Sequence, residues 1–413
     1  MSPSILGTNI TWQDIEDDMR GVFGTQARFG EDKKVTSIGD MKGFMSRIAL
    51  VEPAWTPSSE ELPKRFIVKI ATELAFAEFA KLLNSEKDEE FEAEKIKNIK
   101  PVIKILHNRE VEVYKLLEKI NSPDIPYTKI YTMKPFTDDL PTKTYIISEA
   151  LDDIQHIGVY ENFQIQDILP IVKSIAAFSA LGETLPREDL HFAAESDLLA
   201  NIMAEAGNEK MQDRCYDQMR NAFPEKYTAD VEKLIKIYRL YFSRKMLSKL
   251  GKVAEIVGHR NTLIHGDLWT SNLLCQKVSG HPQMRAIIDW QTVAFGSPGQ
   301  DLARLFMNIL STEDRREHLD YLLQTYYNTF IRKIGDKPAP YTLKQLRQNY
   351  QLMFPFLSVL VLPGIIPFLE HSQVAEEIKE KVKKSALDKI IGLMEDVLDV
   401  HEKNLNEFPE FFH

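Results

Sequence analysis

The feature that most constrains this chain is an ordered set of polar residues set between apolar strands. His265-Gly266-Asp267-Leu268-Trp269-Thr270-Ser271-Asn272 is followed downstream by Ile287-Ile288-Asp289-Trp290. Residues 262–268 read as a short strand running into a loop, and residues 285–290 as a strand that delivers a carboxylate at its end. Leu273, Leu274 and Cys275, then Ser279-Gly280-His281-Pro282, predict a hairpin that brings Asn272 and Asp289 together. Taken singly, an Asp after an apolar stretch caps a turn and an Asn satisfies loop backbone. The combination is more specific. A carboxylate to accept a hydroxyl proton, plus an amide and a second carboxylate to hold Mg²⁺, is the set that phosphoryl transfer from ATP requires. His265 is expected to pack and hydrogen-bond under the loop rather than transfer a proton.

Upstream, residues 34–72 read as β structure. Lys34–Ile38, a turn holding Gly39 and Gly43, and Phe44–Val51 make a strand, a tight turn and a strand. The two glycines would let backbone N–H groups approach phosphates; a plain hairpin is the alternative. Arg65-Phe66-Ile67-Val68-Lys69-Ile70 is a strand with one lysine among apolar residues. A lysine there is costly unless paired, and nucleotide-phosphate chemistry pairs it with a glutamate; strand alternation could instead turn it to solvent. The helix predicted over 107–120 offers two glutamates. Glu110 shares a face with Leu106, Val113, Tyr114 and Leu117, whereas Glu112 lies with Asn108, Arg109, Lys115 and Lys119, so Glu110 is the inward one. Residues 85–97, dense in alternating charge, read as a solvated face or insert. Lys143–Glu149 is a buried-looking strand, and Glu149-Ala150-Leu151 after it occupies the place of a hinge that meets an adenine edge.

These motifs resemble the aminoglycoside phosphotransferase and choline kinase superfamily. Trp269, Gln291 and Ser297-Pro298-Gly299-Gln300-Asp301-Leu302-Ala303 are similar to the CHK-kinase-like, or ecdysteroid-kinase-like, family. The resemblance runs from about residue 30 to 400. It implies a protein-kinase-like bilobal α+β fold, with Asp267 as catalytic base, Asn272 and Asp289 as Mg²⁺ ligands, and Lys69 and Glu110 as the phosphate-anchoring pair. Asp301 would brace the catalytic loop. The lobe boundary is expected near residue 151: a nucleotide-binding lobe over 1–150 and a mainly helical catalytic and substrate-binding lobe over 151–413. The reading is an ATP-dependent kinase acting on a hydroxyl of a small metabolite, ecdysteroid-like, choline-like or xenobiotic; the alternative is a catalytically silent kinase-fold binding protein. A protein kinase is disfavoured by the lack of G-x-G-x-x-G, by HGD in place of HRD and by IDW in place of DFG.

Composition sets the remaining bounds. A net charge of −10, from 51 basic and 61 acidic residues, argues against nucleic acid as a partner. Cys215 and Cys275 are far apart and imply neither a disulfide framework nor a zinc site. The first twenty residues lack the apolar core of a signal peptide. The most apolar run, Met353–Phe368, contains three prolines and a glycine and predicts buried helices rather than a membrane span. A cytoplasmic enzyme without a membrane partner is expected. Aromatics at Phe192, Tyr238, Tyr241, Phe242, Tyr350, Phe354 and Phe356 are offered as substrate-pocket walls, against the commoner reading of aromatics at helical spacing as core.

Overall fold

A computed structural model describes residues 4–38, 45–77, 89–137, 143–155, 157–158, 160–193, 209–371 and 376–412. It is α+β and divides into two compact units. The first comprises Met1–Asn121, Tyr127–Asp153 and Ile288–Gln291; the second comprises Ser122–Pro126, Ile154–Ile287 and Thr292–His413. A single boundary near residue 151 does not anticipate that the short stretch 288–291 packs with the first unit.

The first unit is built on a five-stranded antiparallel sheet in the order Lys34–Ile38, Ser46–Glu52, Phe66–Ala71, Tyr145–Glu149, Ile130–Lys134. Period-two alternation sorts the central strand. Phe66, Val68 and Ile70 are fully buried in one cluster with Ala49, Val51, Tyr145 and Ile147, together with Ile15 and Met19 of the helix Trp12–Phe23. Ile67, Lys69 and Ala71 take the opposite phase. The turn with Gly39 and Gly43 lies outside the described residues. The long helix Glu89–Ile120 starts earlier than the 107–120 expected: residues 89–97, part of the stretch read from the sequence as a solvated face or insert, are already helical.

The second unit is mainly helical. Its central helix, Ile165–Thr184, buries Ile168, Ile171, Val172, Ile175 and Phe178 and packs on the helix Thr312–Ile334 and the strand Thr262–Ile264. By length and composition this helix could cross a membrane, but 61% of its apolar window is buried inside the protein, as in a core helix. The predicted hairpin is present. Leu273–Val278 pairs with His281–Ile287 across a two-residue turn, Ser279 (φ 52°) and Gly280 (φ 85°), both left-handed as such turns require. A second ladder pairs Thr262–Ile264 with Ala294–Gly296.

The apolar run at 353–368 lies inside one continuous helix, Leu343–His371, with Leu352, Phe356, Leu357, Val361 and Ile365 fully buried. Its prolines therefore do not interrupt it. Pro355 has no N–H for the carbonyl of Gln351, one turn earlier. Asn404, on the helix Lys379–Glu407, donates its amide N–H to that carbonyl at 3.2 Å and accepts from Gln351 Nε2 at 3.0 Å. The proposed pocket aromatics divide in favour of the core: Tyr238, Tyr241, Tyr350, Phe354 and Phe356 are buried, and only Phe192 and Phe242 are half-buried.

Two stability predictions follow from this packing. Asn404→Ala leaves the half-buried Gln351 carbonyl without its donor and is expected to cost about 1 kcal/mol in urea unfolding. The second concerns Lys389, which is 2% exposed and donates to the Asn308 carbonyl at 2.6 Å. Burial, and then the nearby Arg315, push its ammonium down to about 7. Between pH 7 and the ordinary lysine value of 10.5 the unfolded chain therefore binds the proton that the folded chain has released. Its contribution to stability is complete above that window and is lost as pH falls through 7. Unfolding free energies measured across pH 7–10 are expected to rise in the native chain and to lose part of that slope in Lys389→Met.

Candidate functional site

In the first unit the structure brings three of the expected residues together. Lys69 sits on the central strand, in register with Ile48 on one side and Ile146 on the other. Its Nζ is 2.6 Å from Glu110 Oε2 and 2.5 Å from Asp289 Oδ1. Glu110, 1% exposed, comes from the helix Glu89–Ile120, while Glu112 faces outward and pairs with Lys115. Asp289 is held at φ 65°, a left-handed conformation that aspartate tolerates better than most residues, and its Oδ2 accepts from Gln291 Nε2 at 3.3 Å.

The electrostatics of this group explain what it would bind. Burial alone disfavours the Lys69 ammonium, but Asp289 and Glu110 outweigh it and raise its pKa above the ordinary lysine value, so the amine is charged. Two carboxylates face one cation, leaving an excess negative charge. Burial, with Asp289 adding to it and Lys69 opposing, pushes the Glu110 carboxyl up to about 7. Tyr114, one turn beyond Glu110, has a phenol raised well above its usual range by burial and then by Glu110, against the opposing bonds from Thr128 and the Asp289 backbone N–H, so it remains neutral. The uncompensated charge sits on oxygen, the donor type that Mg²⁺ prefers, and Mg²⁺ characteristically takes one or two protein carboxylates and completes its shell with phosphates and water. Among the described residues, no three His, Cys, Asp or Glu side chains converge into a metal cage.

In the second unit the loop after Thr262–Ile264 is fixed almost entirely through its backbone. Asp301, in the first turn of the helix Pro298–Ile309, accepts the N–H groups of His265 at 2.7 Å and Gly266 at 2.8 Å. Thr292 Oγ1 donates to the His265 carbonyl at 2.8 Å, and Gln300 Nε2 to the Gly266 carbonyl at 3.0 Å. Gly266 has φ 86°, and a Cβ there would lie 2.5 Å from the Thr292 carbonyl oxygen, so the position admits only glycine. His265, 2% exposed, accepts from the Asp267 N–H at 3.3 Å through Nδ1. Asn272 donates its amide N–H to the Asp267 carbonyl at 2.7 Å, which commits the nitrogen and leaves the amide oxygen as the side chain's donor to a cation.

The Asp267 carboxylate has partners the sequence did not suggest. Its Oδ1 accepts from Trp269 Nε1 and from Arg304, each at 2.5 Å. The Arg304 guanidinium also lies 4.1 Å from the centre of the Trp269 ring. One signal could have found Arg304: it stands three residues after Asp301, on the same face of a helix already expected to touch the loop.

The hinge residues are placed but less informative. Glu149 ends its strand, exchanging backbone and side-chain bonds with Lys129. The Leu151 carbonyl is 3.5 Å from Arg65, a weak contact.

With this geometry in hand, comparison with known proteins is direct. A family described as "Uncharacterized oxidoreductase dhs-27" matches residues 2–405. The Caenorhabditis elegans protein of that name is 26% identical over 290 residues, 67% of this chain and 33% of the relative. "Uncharacterized kinase-like protein D1044.1" of the same organism is 30% identical over 154 residues, 35% of this chain and 40% of the relative. The chain thus spans well under two thirds of the length of either relative. Among solved structures, a choline kinase from Cryptosporidium parvum is similar at 12% identity and a TM-score of 0.46, covering 92% of this chain and 93% of that one. The extent of the family match means that the chain belongs to the family described as "Uncharacterized oxidoreductase dhs-27", and its motifs at 265–272 and 287–303 resemble those of the aminoglycoside phosphotransferase and choline kinase superfamily.

Proposed function

We propose that this protein transfers the γ-phosphoryl group of ATP to a hydroxyl of a small molecule. The observation that carries this reading is the half-buried Lys69 ammonium held at 2.5–2.6 Å by Glu110 and Asp289, three groups drawn from a strand, a helix and a downstream turn. Such a group leaves a lysine fixed and charged for the α- and β-phosphates. Asp267, on its braced loop, orients the acceptor hydroxyl and takes its proton as the new P–O bond forms and the bond to ADP breaks. Asn272 and Asp289 each supply an oxygen suited to Mg²⁺, whose role when bound is to neutralise the β- and γ-phosphate oxygens. The protein's own contribution is position and fixed charge.

The acceptor class follows from the family alone: an ecdysteroid-like, choline-like or other xenobiotic alcohol. The same reading places the reaction in the cytoplasm. It is consistent with Cys215 and Cys275 being free thiols. The net charge of −10 favours a small-molecule acceptor over nucleic acid. An oxidoreductase reading, suggested by the relative's name, finds no support in the residues: the chain contains no G-x-G-x-x-G for a dinucleotide pyrophosphate. A silent binding protein is the second reading, favoured only by the engagement of Asp267 with Arg304.

The test is ADP formation by purified protein with Mg²⁺ and ATP against a pool of hydroxylated metabolites, choline and steroids, with mass spectrometry for a product one phosphoryl group heavier. Asp267→Ala is expected to lower turnover about 10²–10⁴-fold while ATP still raises the melting temperature. Lys69→Met is expected to abolish that thermal shift. ATP binding without any product would favour the silent reading, and no ATP binding at all would remove the phosphotransfer proposal.

A further inference from the structure

The assignment of Asp267 as proton acceptor leaves open how a side chain on a loop is aimed. The loop backbone is already held by Asp301, Thr292 and Gln300, so Arg304 is not needed to keep the loop in place. Its side chain is nevertheless 7% exposed, beside an Asp267 side chain that is 25% exposed. Burying a guanidinium is costly, and an apolar residue of similar volume would serve packing as well or better. Arg304 Nε is buried without a hydrogen-bond partner, a further cost borne at this position.

What the arginine does instead is visible in its contacts. Its terminal nitrogen and the Trp269 indole N–H meet the same oxygen, Asp267 Oδ1, each at 2.5 Å. The guanidinium plane and the indole ring lie against one another at 4.1 Å, so each donor holds the other in place. Two donors fixed on one oxygen remove the rotation of the carboxylate about its last bond. The direction of its second oxygen is then set by the protein.

Resting on the kinase reading above, we infer that Arg304 and Trp269 form a clamp that aims Asp267, with Arg304 a positioning residue for phosphoryl transfer that acts through Asp267. A loose transition state asks little basicity of the acceptor and much alignment. A carboxylate partly neutralised by a guanidinium suits that demand.

The experiment is a double-mutant cycle in the full chain. Arg304→Met, Arg304→Lys and Trp269→Phe are made in the native background and with Asp267→Asn, and ADP formation is measured at varied ATP with an acceptor that turns over. Arg304→Met is expected to lower kcat about tenfold to a hundredfold, with the KM for ATP within about twofold. Arg304→Lys should recover part of the loss. Trp269→Phe should cost about fivefold, the rate equivalent of one ordinary hydrogen bond. With Asp267→Asn present, none of the three should add a further loss. Losses that multiply in the cycle, or an effect confined to the KM for ATP, would overturn the clamp. Melting temperatures show which variants fold, and Trp269→Phe carries the test if Arg304→Met does not. A native protein that makes no ADP removes the kinase reading and the catalytic role with it. The same cycle read by urea unfolding still reports the clamp, and absence of coupling between Asp267 and Arg304 there would overturn its geometry.

Discussion

Everything the first unit can do chemically depends on one ammonium held between two carboxylates. Lys69 joins the central strand to Glu110 on the long helix and to Asp289 in the 288–291 stretch. As a device for stability this is poor: desolvating three charges costs several kcal/mol each, and apolar residues in their place would cost less. Nor do the charges balance: burial, with Asp289 adding to it, raises the Glu110 carboxyl against the pull of Lys69. A divalent cation on oxygen and a polyphosphate on the lysine would complete the group from both directions.

The second unit meets a related problem by a different route. Its catalytic-type loop turns too sharply to satisfy its own backbone, and a single carboxylate, Asp301, collects two consecutive N–H groups. Burial raises the Asp301 carboxyl, and His265 and the two amides oppose that. Once the backbone is secured in this way, the side chains of the loop are available for other work. Asn272 closes the loop with its nitrogen, and Asp267 is handed to Trp269 and Arg304.

The parts of this arrangement that were legible in the sequence are those where chemistry fixes residue type and local geometry fixes spacing. Glu110 could be separated from Glu112 because a helix sorts its residues into faces, and the hairpin after Asn272 could be drawn because Ser279-Gly280 fits the left-handed turn between two apolar runs. Where a long-range partner decides the outcome, local reading fails. Pro355 looks like a breaker until Asn404, 49 positions later, supplies the donor that the Gln351 carbonyl lacks. The charged stretch before Lys97 carries no apolar stripe by which to place the start of the helix, which the structure begins at Glu89. Arg304 looks like an ordinary polar helix residue because its role lies entirely in what it touches.

The same distinction explains why residues can be proposed for handling phosphate while the acceptor is proposed only as a class. Triphosphate and metal are recognised by charges at fixed separations, and few residue types will serve. A hydroxylated metabolite is recognised by the shape of an apolar wall, and an apolar wall is written in the same residues as a core. Tyr238, Tyr241 and Phe356, offered from the sequence as pocket walls, are wholly buried, with Tyr241 packed edge-on against Phe356 and His401. Their spacing was compatible with either use, and only their burial separates the two. Which aromatic residues are left half-covered is a property of the packed helices that no local stretch of sequence contains.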